Sequence, residues 1–280
     1  MSALSTVALI LLSKNHEKFV EECMDSVYRE LGSTISIINL DFESTDGTVS
    51  KIKTFATNYS MNLHSESIEP KTGTLLAILN APVHQEIEHV ILLSADDALL
   101  PNYGAALRAI KLQGLPPKLL NFGLLIGEEI ESAHKTKVPK WSKHSFVNSL
   151  LLSLGNPGTA PGSVLPWGLL REINADSFIR GNLIEDYLIW WLLQDKAEFI
   201  NNKKPLVFYR QHANNLTKSR KNPDYAFSLG FNAGLPLQQK RSILKPLSVL
   251  LFAKCIRHVS ISSVPDFVKG FLYSLNNKFL

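Results

Sequence analysis

Apolar residues along the chain follow two alternating rhythms. Uninterrupted runs at Thr6 to Leu12, Ile35 to Leu40 and Val90 to Leu93 read as short strands buried on both faces. Between the runs, apolar positions recur at helical spacing. From His16 to Leu31 they fall at Phe19, Val20, Cys23, Val27 and Leu31, with Glu17, Glu21 and Glu22 on other faces, and Gly32 closes the helix. Val49 to Tyr59 reads as a second helix entered through an Asp46-Gly47 turn, and Thr72 to Ala81 as a third behind Pro70-Lys71. Strand alternating with helix predicts an α/β fold, a mostly parallel, doubly wound sheet flanked by helices. Farther on, Leu119 to Ile126 reads as a strand, and Phe146 to Leu154 and Ile184 to Leu193 as helices. Glu128 to Lys143 reads as a polar loop and Gly155 to Ser163 as an irregular segment.

Two of the strands stop at carboxylates. Asp41 follows the second run and Asp96-Asp97 follows the Val90 run, at the strand ends where open α/β sheets hold ligands. Adjacent carboxylates repel each other unless a proton or a cation stands between them. Asp96 and Asp97 therefore read either as the cap of the next turn or as the seat of a divalent Mg²⁺ or Mn²⁺ that would in turn hold a diphosphate. Trp141 and Trp167 read either as core residues or as platforms for a sugar face.

Composition narrows the class. Hydrophobic residues make up 45% of the 280 and charged residues 19%, the balance of a folded globular protein near the upper size for one core. The two cysteines, Cys23 and Cys255, build neither a disulfide framework nor a cysteine zinc site, which points to a reducing, cytoplasmic compartment. Met1 to Leu12 lacks a basic region and reads as leading into the first core strand, not as a signal peptide. The net charge of +4 is unevenly spread: residues 201–280 hold 13 Lys or Arg against Asp224 and Asp266, and residues 1–200 hold 16 against 23 acidic groups. The halves thus carry +11 and −7. A basic segment calls for an anionic partner. Leu247, Val249, Leu250, Phe252 and Phe267, beside Lys245, Lys254, Arg257 and Lys269, suit an anionic membrane surface better than nucleic acid; a helical pair packed on the body is the other reading. No segment reaches the roughly 18 uncharged apolar residues of a spanning helix.

The order of these features resembles the family 2 glycosyltransferases of the GT-A fold, inverting enzymes of the kind that extend bacterial surface polysaccharides. The resemblance rests on Asn15 after the first strand, Ser26 in the first helix and the stretch Asp41-Phe-Glu-Ser-Thr-Asp-Gly-Thr48. Gly73, Asn80 and Ala95-Asp96-Asp97 follow, then Glu185-Asp186 opening an apolar helix and Tyr209-Arg-Gln-His212 ending a late strand. It spans residues 6–217. It implies a GT-A domain over 1–217, with a nucleotide-sugar half at 1–101 and an acceptor half at 102–217, and a basic, apolar helical extension over 218–280. The sequence departs from the pattern at Ser94, where many members carry the first Asp of an Asp-X-Asp motif, and at Phe42 and Glu43, which replace an Asp and a Gly.

By this resemblance, the chain transfers a hexosyl group from a nucleoside-diphosphate sugar, uridine diphosphate by family frequency, to a hydroxyl of a glycan or lipid-linked glycan such as O-antigen or capsule. The reaction would use Mn²⁺ or Mg²⁺ and take place on the inner face of the cell membrane. Asp186 falls on the catalytic base. Ser13, Asn15, Asp41, Glu43, Lys71, Asp96, Gly162, Ser163, Glu185 and Arg210 fall on the donor, with Lys71 the nearest candidate for a basic residue that often helps hold the nucleotide. Asp96, Asp97 and His212 fall on the metal. Two other classes compete: a catalytically silent relative that binds a nucleotide sugar or glycan, and a phosphoryl-receiver or phosphatase-like α/β domain, in which Glu185-Asp186 and Tyr209 to His212 have no task.

Overall fold

A computed structural model describes residues 5–110, 112, 115–173, 185–213, 215, 226–227, 229–231, 252, 255–257, 259 and 261–276. Ile184 and most of the 218–280 extension, including Lys245, Leu247, Val249 and Lys254, lie outside these residues. The first half runs β1 (Val7–Ser13), α1 (Val20–Leu31), β2 (Ser36–Asp41), α2 (Thr48–Asn58), β3 (Asn62–Ser67), α3 (Thr74–Leu79) and β4 (His89–Ser94). Then come β5 (Ala98–Leu99), α4 (Tyr103–Ala109), β6 (Lys118–Gly127), β7 (Lys135–Lys137), α5 (Ser145–Leu154), β8 (Ser163–Pro166) and α6 (Trp167–Arg171). α7 (Glu185–Leu193), β9 (Glu198–Arg210) and a last helix, α8 (Val264–Asn276), complete the described elements.

One sheet takes all nine strands, in the order β3-β2-β1-β4-β8-β6-β9-β5 with β7 on β6. β3, β2, β1 and β4 are mutually parallel; β8 runs against both β4 and β6, so β6 and its parallel neighbour β9 point the same way as the first four. The C-terminal ends of β1, β2, β4, β6 and β9 therefore share one edge. The expected mostly parallel sheet flanked by helices is the observed architecture, and it runs unbroken through both halves of the chain.

The alternation of side chains along each strand divides the interior into two layers. Val7, Leu9 and Leu11 pack with Cys23, Val27, Ile52 and Tyr103, placing α1, α2 and α4 on one face. Ala8 and Ile10 pack with Leu75, Leu152, Trp167, Leu170 and Trp190, placing α3, α5, α6 and α7 on the other. Trp141 and Trp167, with relative exposures of 6% and 1%, are core residues of this second layer and present no face to a sugar. Phe231 and Phe267 belong to the same layer. The described part of the extension thus packs on the body, and none of the described helices is long and apolar enough to cross a membrane.

Several elements depart from the expected pattern. β3 (Asn-Leu-His-Ser-Glu-Ser) is a polar strand on the sheet edge, with no apolar run to reveal it. β7 lies inside the expected loop, where its Lys-Thr-Lys gains strand geometry only from the partner β6. β9 starts at Glu198, seven residues before the apolar Pro205 to Phe208, because its polar first half is held by β6 through a bulge near Gly123. If Phe267 is a core residue, Phe267→Ala should cost about 3–5 kcal/mol in denaturant unfolding. A change below ~0.5 kcal/mol would mean that α8 is not part of the core.

Candidate functional site

The shared strand edge fixes where polar chemistry collects. In the sheet register Ser13 lies opposite Asp41, and Leu12 opposite Ser94, so the ends of β1, β2 and β4 are level. Just beyond them the chain makes two loops, Lys14 to Phe19 and Phe42 to Gly47, that are stitched together. Asn15 Oδ1 accepts the Thr45 N–H at 2.8 Å, the Asn15 N–H goes to Ser44 Oγ at 2.8 Å, and the His16 N–H goes to Thr48 Oγ1 at 2.7 Å. The Glu17 N–H reaches Asp46 Oδ2 at 3.1 Å, while Asp46 Oδ1 accepts the Thr48 N–H, the first of α2, at 3.0 Å. Asn15 and Glu43 sit at φ +56° and +54°, left-handed conformations that these cross-links maintain.

Asp41 is buried at the root of the two loops. Its Oδ1 accepts the Ser13 and Ser44 hydroxyls, each at 2.6 Å, and its Oδ2 accepts the Ser44 N–H at 2.8 Å. Three donors hold the carboxylate in one orientation and leave acceptor capacity on Oδ2. Glu43 is exposed at the rim. Lys71 is also exposed, 86% for its side chain, and pairs with Glu69 at 3.7 Å.

Asp96 and Asp97, adjacent in sequence, face different surroundings. Asp96 Oδ1 accepts the Ser94 hydroxyl, and its Oδ2 meets His212 Nε2 at 2.9 Å and His16 Nε2 at 3.8 Å. Ligand atoms of His16, Asp96 and His212 all lie within 4.8 Å of one another. Burial works to raise the Asp96 pKa, but the His212 hydrogen bond, the nearby His16 and the Ser94 hydroxyl prevail and hold it below the usual carboxylate range. Asp97 is turned into the protein at 1% exposure, and its Oδ1 accepts the Arg210 N–H at 2.9 Å. Burial, together with the Asp96 charge, pushes it well above the ordinary value. The structure thus brings Asp96 and His212 together, adds His16 to them and leaves Asp97 outside the group. Carboxylate and imidazole donors converging at this separation suit a divalent cation.

Arg210 makes four hydrogen bonds within the protein through its guanidinium. Nε donates to the Asp96 carbonyl at 2.9 Å, Nη1 to the Glu128 carbonyl at 2.8 Å and to Glu129 at 3.3 Å, and Nη2 to Glu22. The guanidinium also stacks 4.9 Å from the Phe19 and Phe208 ring centres. With its donors used inward, Arg210 braces the Asp96-Asp97 loop and does not reach toward a diphosphate. Gly162 and Ser163 are likewise buried. Gly162 has φ +67°, gives its carbonyl to Tyr103 Oη, and has no room for a Cβ, which would stand 2.5 Å from Val207.

Asp186 opens α7. Its Oδ2 accepts Asn156 Nδ2–H at 2.6 Å and its Oδ1 the Tyr187 N–H at 2.8 Å. Burial raises its pKa, opposed by the Asn156 hydrogen bond and the charge of Lys137. Lys137 ends β7, which pairs with Leu124 to Ile126 in the C-terminal half of β6, so the positive charge that acts on Asp186 comes from that part of the sheet. Glu185 is in the same first turn.

No protein-family model and no curated protein matches this chain. Solved structures do. Residues 1–349 of TarS from S. aureus, in complex with UDP-GlcNAc, align over 97% of this chain and 92% of that one at 13% identity, with a TM-score of 0.60. A longer S. aureus TarS structure covers 96% of this chain and 49% of that one at 12% identity and TM-score 0.62. The mannosyltransferase PcManGT from Pyrobaculum calidifontis, in complex with GDP-Man and Mn²⁺, covers 97% and 75% at 15% identity and TM-score 0.57. The fold is that of the GT-A glycosyltransferases.

Within this GT-A fold, sequence reasoning missed His16, Asn156 and Lys137. His16 had a usable signal: it follows a strand whose neighbour ends at Asp96, so its loop faces that carboxylate. Asn156 and Lys137 had none, because only the tertiary fold brings them to Asp186. Exchanging Arg210 for Met keeps the aliphatic stem and removes the brace. Because Glu22 and Glu129 are 44% and 67% exposed, the expected loss is less than that of a fully buried ion pair, about 2–3 kcal/mol by denaturant unfolding. Stability within ~0.5 kcal/mol of the parent would show that the Asp96-Asp97 loop does not depend on this guanidinium.

Proposed function

We propose that the protein is a metal-dependent, inverting glycosyltransferase that moves a sugar from a nucleoside diphosphate, uridine diphosphate in our reading, to a hydroxyl of a glycan or lipid-linked glycan. The observation that carries the proposal is a GT-A sheet with a hydrogen-bonded Asp41 and the His16, Asp96 and His212 group at the ends of its parallel strands; an Asp186 oriented by Asn156 in the first turn of α7 supports it. The GT-A relatives in complex with UDP-GlcNAc and GDP-Man support a nucleotide-sugar donor here.

Each group then has a task. Asp41, locked by Ser13 and Ser44, offers Oδ2 to the base or ribose of the nucleotide. Asn15 holds the loop over it. Asp96 and His212 would hold the divalent cation, which when bound supplies Lewis-acid neutralisation of the leaving diphosphate. Asp186 accepts the proton of the acceptor hydroxyl as that oxygen bonds to the anomeric carbon and the bond from that carbon to the diphosphate breaks on the opposite face. Asn156 and the Tyr187 N–H fix the orientation of this carboxylate, and general-base help of this kind is worth about 10²–10⁴ in rate. Burial, which raises its pKa, also raises its basicity, the direction such a role requires.

The basic extension supports a reading in which the protein works at a membrane surface. α8 turns Phe267 into the core and exposes Val268, Leu272 and Leu275, at 37%, 51% and 41%. With the surplus of lysine and arginine after residue 200, this face suits the cytoplasmic surface of an anionic membrane, where lipid-linked acceptors are found.

Two outcomes test the proposal. Asp186→Asn should lower transfer by about 10²-fold or more while thermal stabilisation by the nucleotide sugar plus Mn²⁺ is kept. In the parent enzyme turnover should fall with acidification at a pH above that of an ordinary carboxylate, because the raised pKa protonates the base earlier. Transfer at the parent rate in Asp186→Asn removes the assignment. For the membrane, Val268→Glu with Leu272→Glu, both at exposed positions, should abolish binding to phosphatidylglycerol-containing vesicles; undiminished binding refutes the role of α8.

A further inference from the structure

We infer that His16 is a third metal ligand and that it tunes the cleft toward first-row transition cations and away from Mg²⁺. This rests on the reading that the cleft takes a divalent cation at all, and goes beyond it by naming the class of cation. Three observations carry it.

First, His16 is presented on a fixed backbone. Its N–H is held by Thr48, the preceding residue is cross-linked to Ser44 and Thr45, and the following one to Asp46. The imidazole is therefore positioned before any ligand arrives, the condition for a side chain to contribute binding energy without first losing conformational freedom. The ring is mostly buried, 14% exposed for its side chain, and Nδ1 is buried without a hydrogen-bond partner. Nε2, facing Asp96 Oδ2, is the nitrogen available to a ligand.

Second, oxygen donors are scarce. The Ser94 hydroxyl occupies Asp96 Oδ1, so Asp96 offers Oδ2, the one oxygen that both imidazoles face. Asp97 cannot add another, since its carboxyl is buried against the Arg210 N–H. Asp41 has two donors on Oδ1 and one on Oδ2, and the capacity left on Oδ2 is the one assigned above to the nucleotide.

Third, the resulting set is two imidazoles and one carboxylate oxygen. Mg²⁺ is a hard ion that prefers oxygen ligands in near-ideal octahedral order, whereas imidazole favours the transition cations. A site with one hard and two borderline donors places Mg²⁺ at a disadvantage against Mn²⁺, and by the Irving–Williams order Co²⁺ and Zn²⁺ should bind at least as tightly as Mn²⁺.

The test is Mn²⁺ binding to the full chain freed of metal, read from the electron paramagnetic resonance of free Mn²⁺, with Mg²⁺ as competitor and without substrate. The parent should bind Mn²⁺ and release half of it only at a Mg²⁺ excess of about 100-fold or more; His16→Gln, which exchanges the imidazole for an amide oxygen, should weaken Mn²⁺ about tenfold and narrow the preference. Electron spin-echo spectra of the Mn²⁺-loaded parent should show couplings from two imidazole nitrogens, a readout that needs no variant to fold. A single coupled imidazole, or Mn²⁺ affinity and Mg²⁺ competition unchanged in His16→Gln, overturns the inference. Asp96→Asn and His212→Gln separate the two levels: if they lose Mn²⁺ while His16→Gln does not, only the inference about His16 falls. If none of the three affects Mn²⁺, the metal reading of the cleft falls with it.

Discussion

The Arg210 guanidinium is the interaction on which the cleft depends. It lies at 2% exposure and joins four separated parts of the chain: Glu22 of α1, the Asp96 carbonyl beyond β4, Glu128 and Glu129 after β6, and its own strand β9. An isolated buried cation would be prohibitively unfavourable, and here the positive charge is matched by two glutamates and by carbonyl dipoles. The geometry also settles the neighbouring carboxylates. The Arg210 backbone N–H takes Asp97 while its side chain fixes the carbonyl of Asp96, so consecutive residues are forced to opposite sides of the loop. One becomes part of the interior. The other is left facing His16 and His212.

The same economy governs the loops after β1 and β2. Ser44, Thr45 and Asp46, the residues by which this stretch resembles nucleotide-sugar enzymes, spend their polar atoms on the protein: on Asp41, on Asn15, and on Thr48 and the Glu17 N–H. Such residues shape a site without needing to touch what occupies it. Loops carry function when a rigid frame positions them, and here the frame is the level ending of parallel strands, Ser13 against Asp41 and Leu12 against Ser94.

How much of this is legible in the amino-acid order follows from which forces are local. β1, β2 and β4 are buried on both faces, so their composition alone marks them, and the carboxylates that end them mark the edge. α1 is legible because its buried positions, Val20, Cys23, Val27 and Leu31, repeat with helical period. β3 and β7 are invisible for the opposite reason: polar and marginal, they are strands only because a neighbour supplies hydrogen bonds. Site residues divide the same way. Asp41 and Asp96 announce themselves through strand ends, whereas the inward turn of Asp97 and Arg210 depends on contacts more than 110 residues apart, 113 for the Arg210 to Asp97 bond, which no local pattern encodes. Trp141 and Trp167 show the same limit, since an aromatic side chain reads alike whether it faces a ligand or the core.

The acidic groups Asp96, Asp97 and Asp186 are separated by environment. Asp96 and Asp97 share a peptide bond, yet hydrogen bonds from His212 and Ser94 stabilise the charge on one while burial disfavours it on the other. Two ionised carboxylates so close would repel each other, and withdrawing Asp97 removes that penalty without removing the residue, which still serves as acceptor for β9. Asp186 is shifted in the direction of Asp97 but keeps a different setting: its oxygens are held by Asn156 and the Tyr187 N–H, with the positive Lys137 nearby to offset its desolvation. In the function we propose, a carboxylate with raised affinity for a proton and a fixed orientation exchanges that proton, and one held ionised beside imidazoles meets positive charge. The same residue type thus occupies two chemically opposite niches, and the difference is made by the hydroxyl, imidazole and amide groups around it.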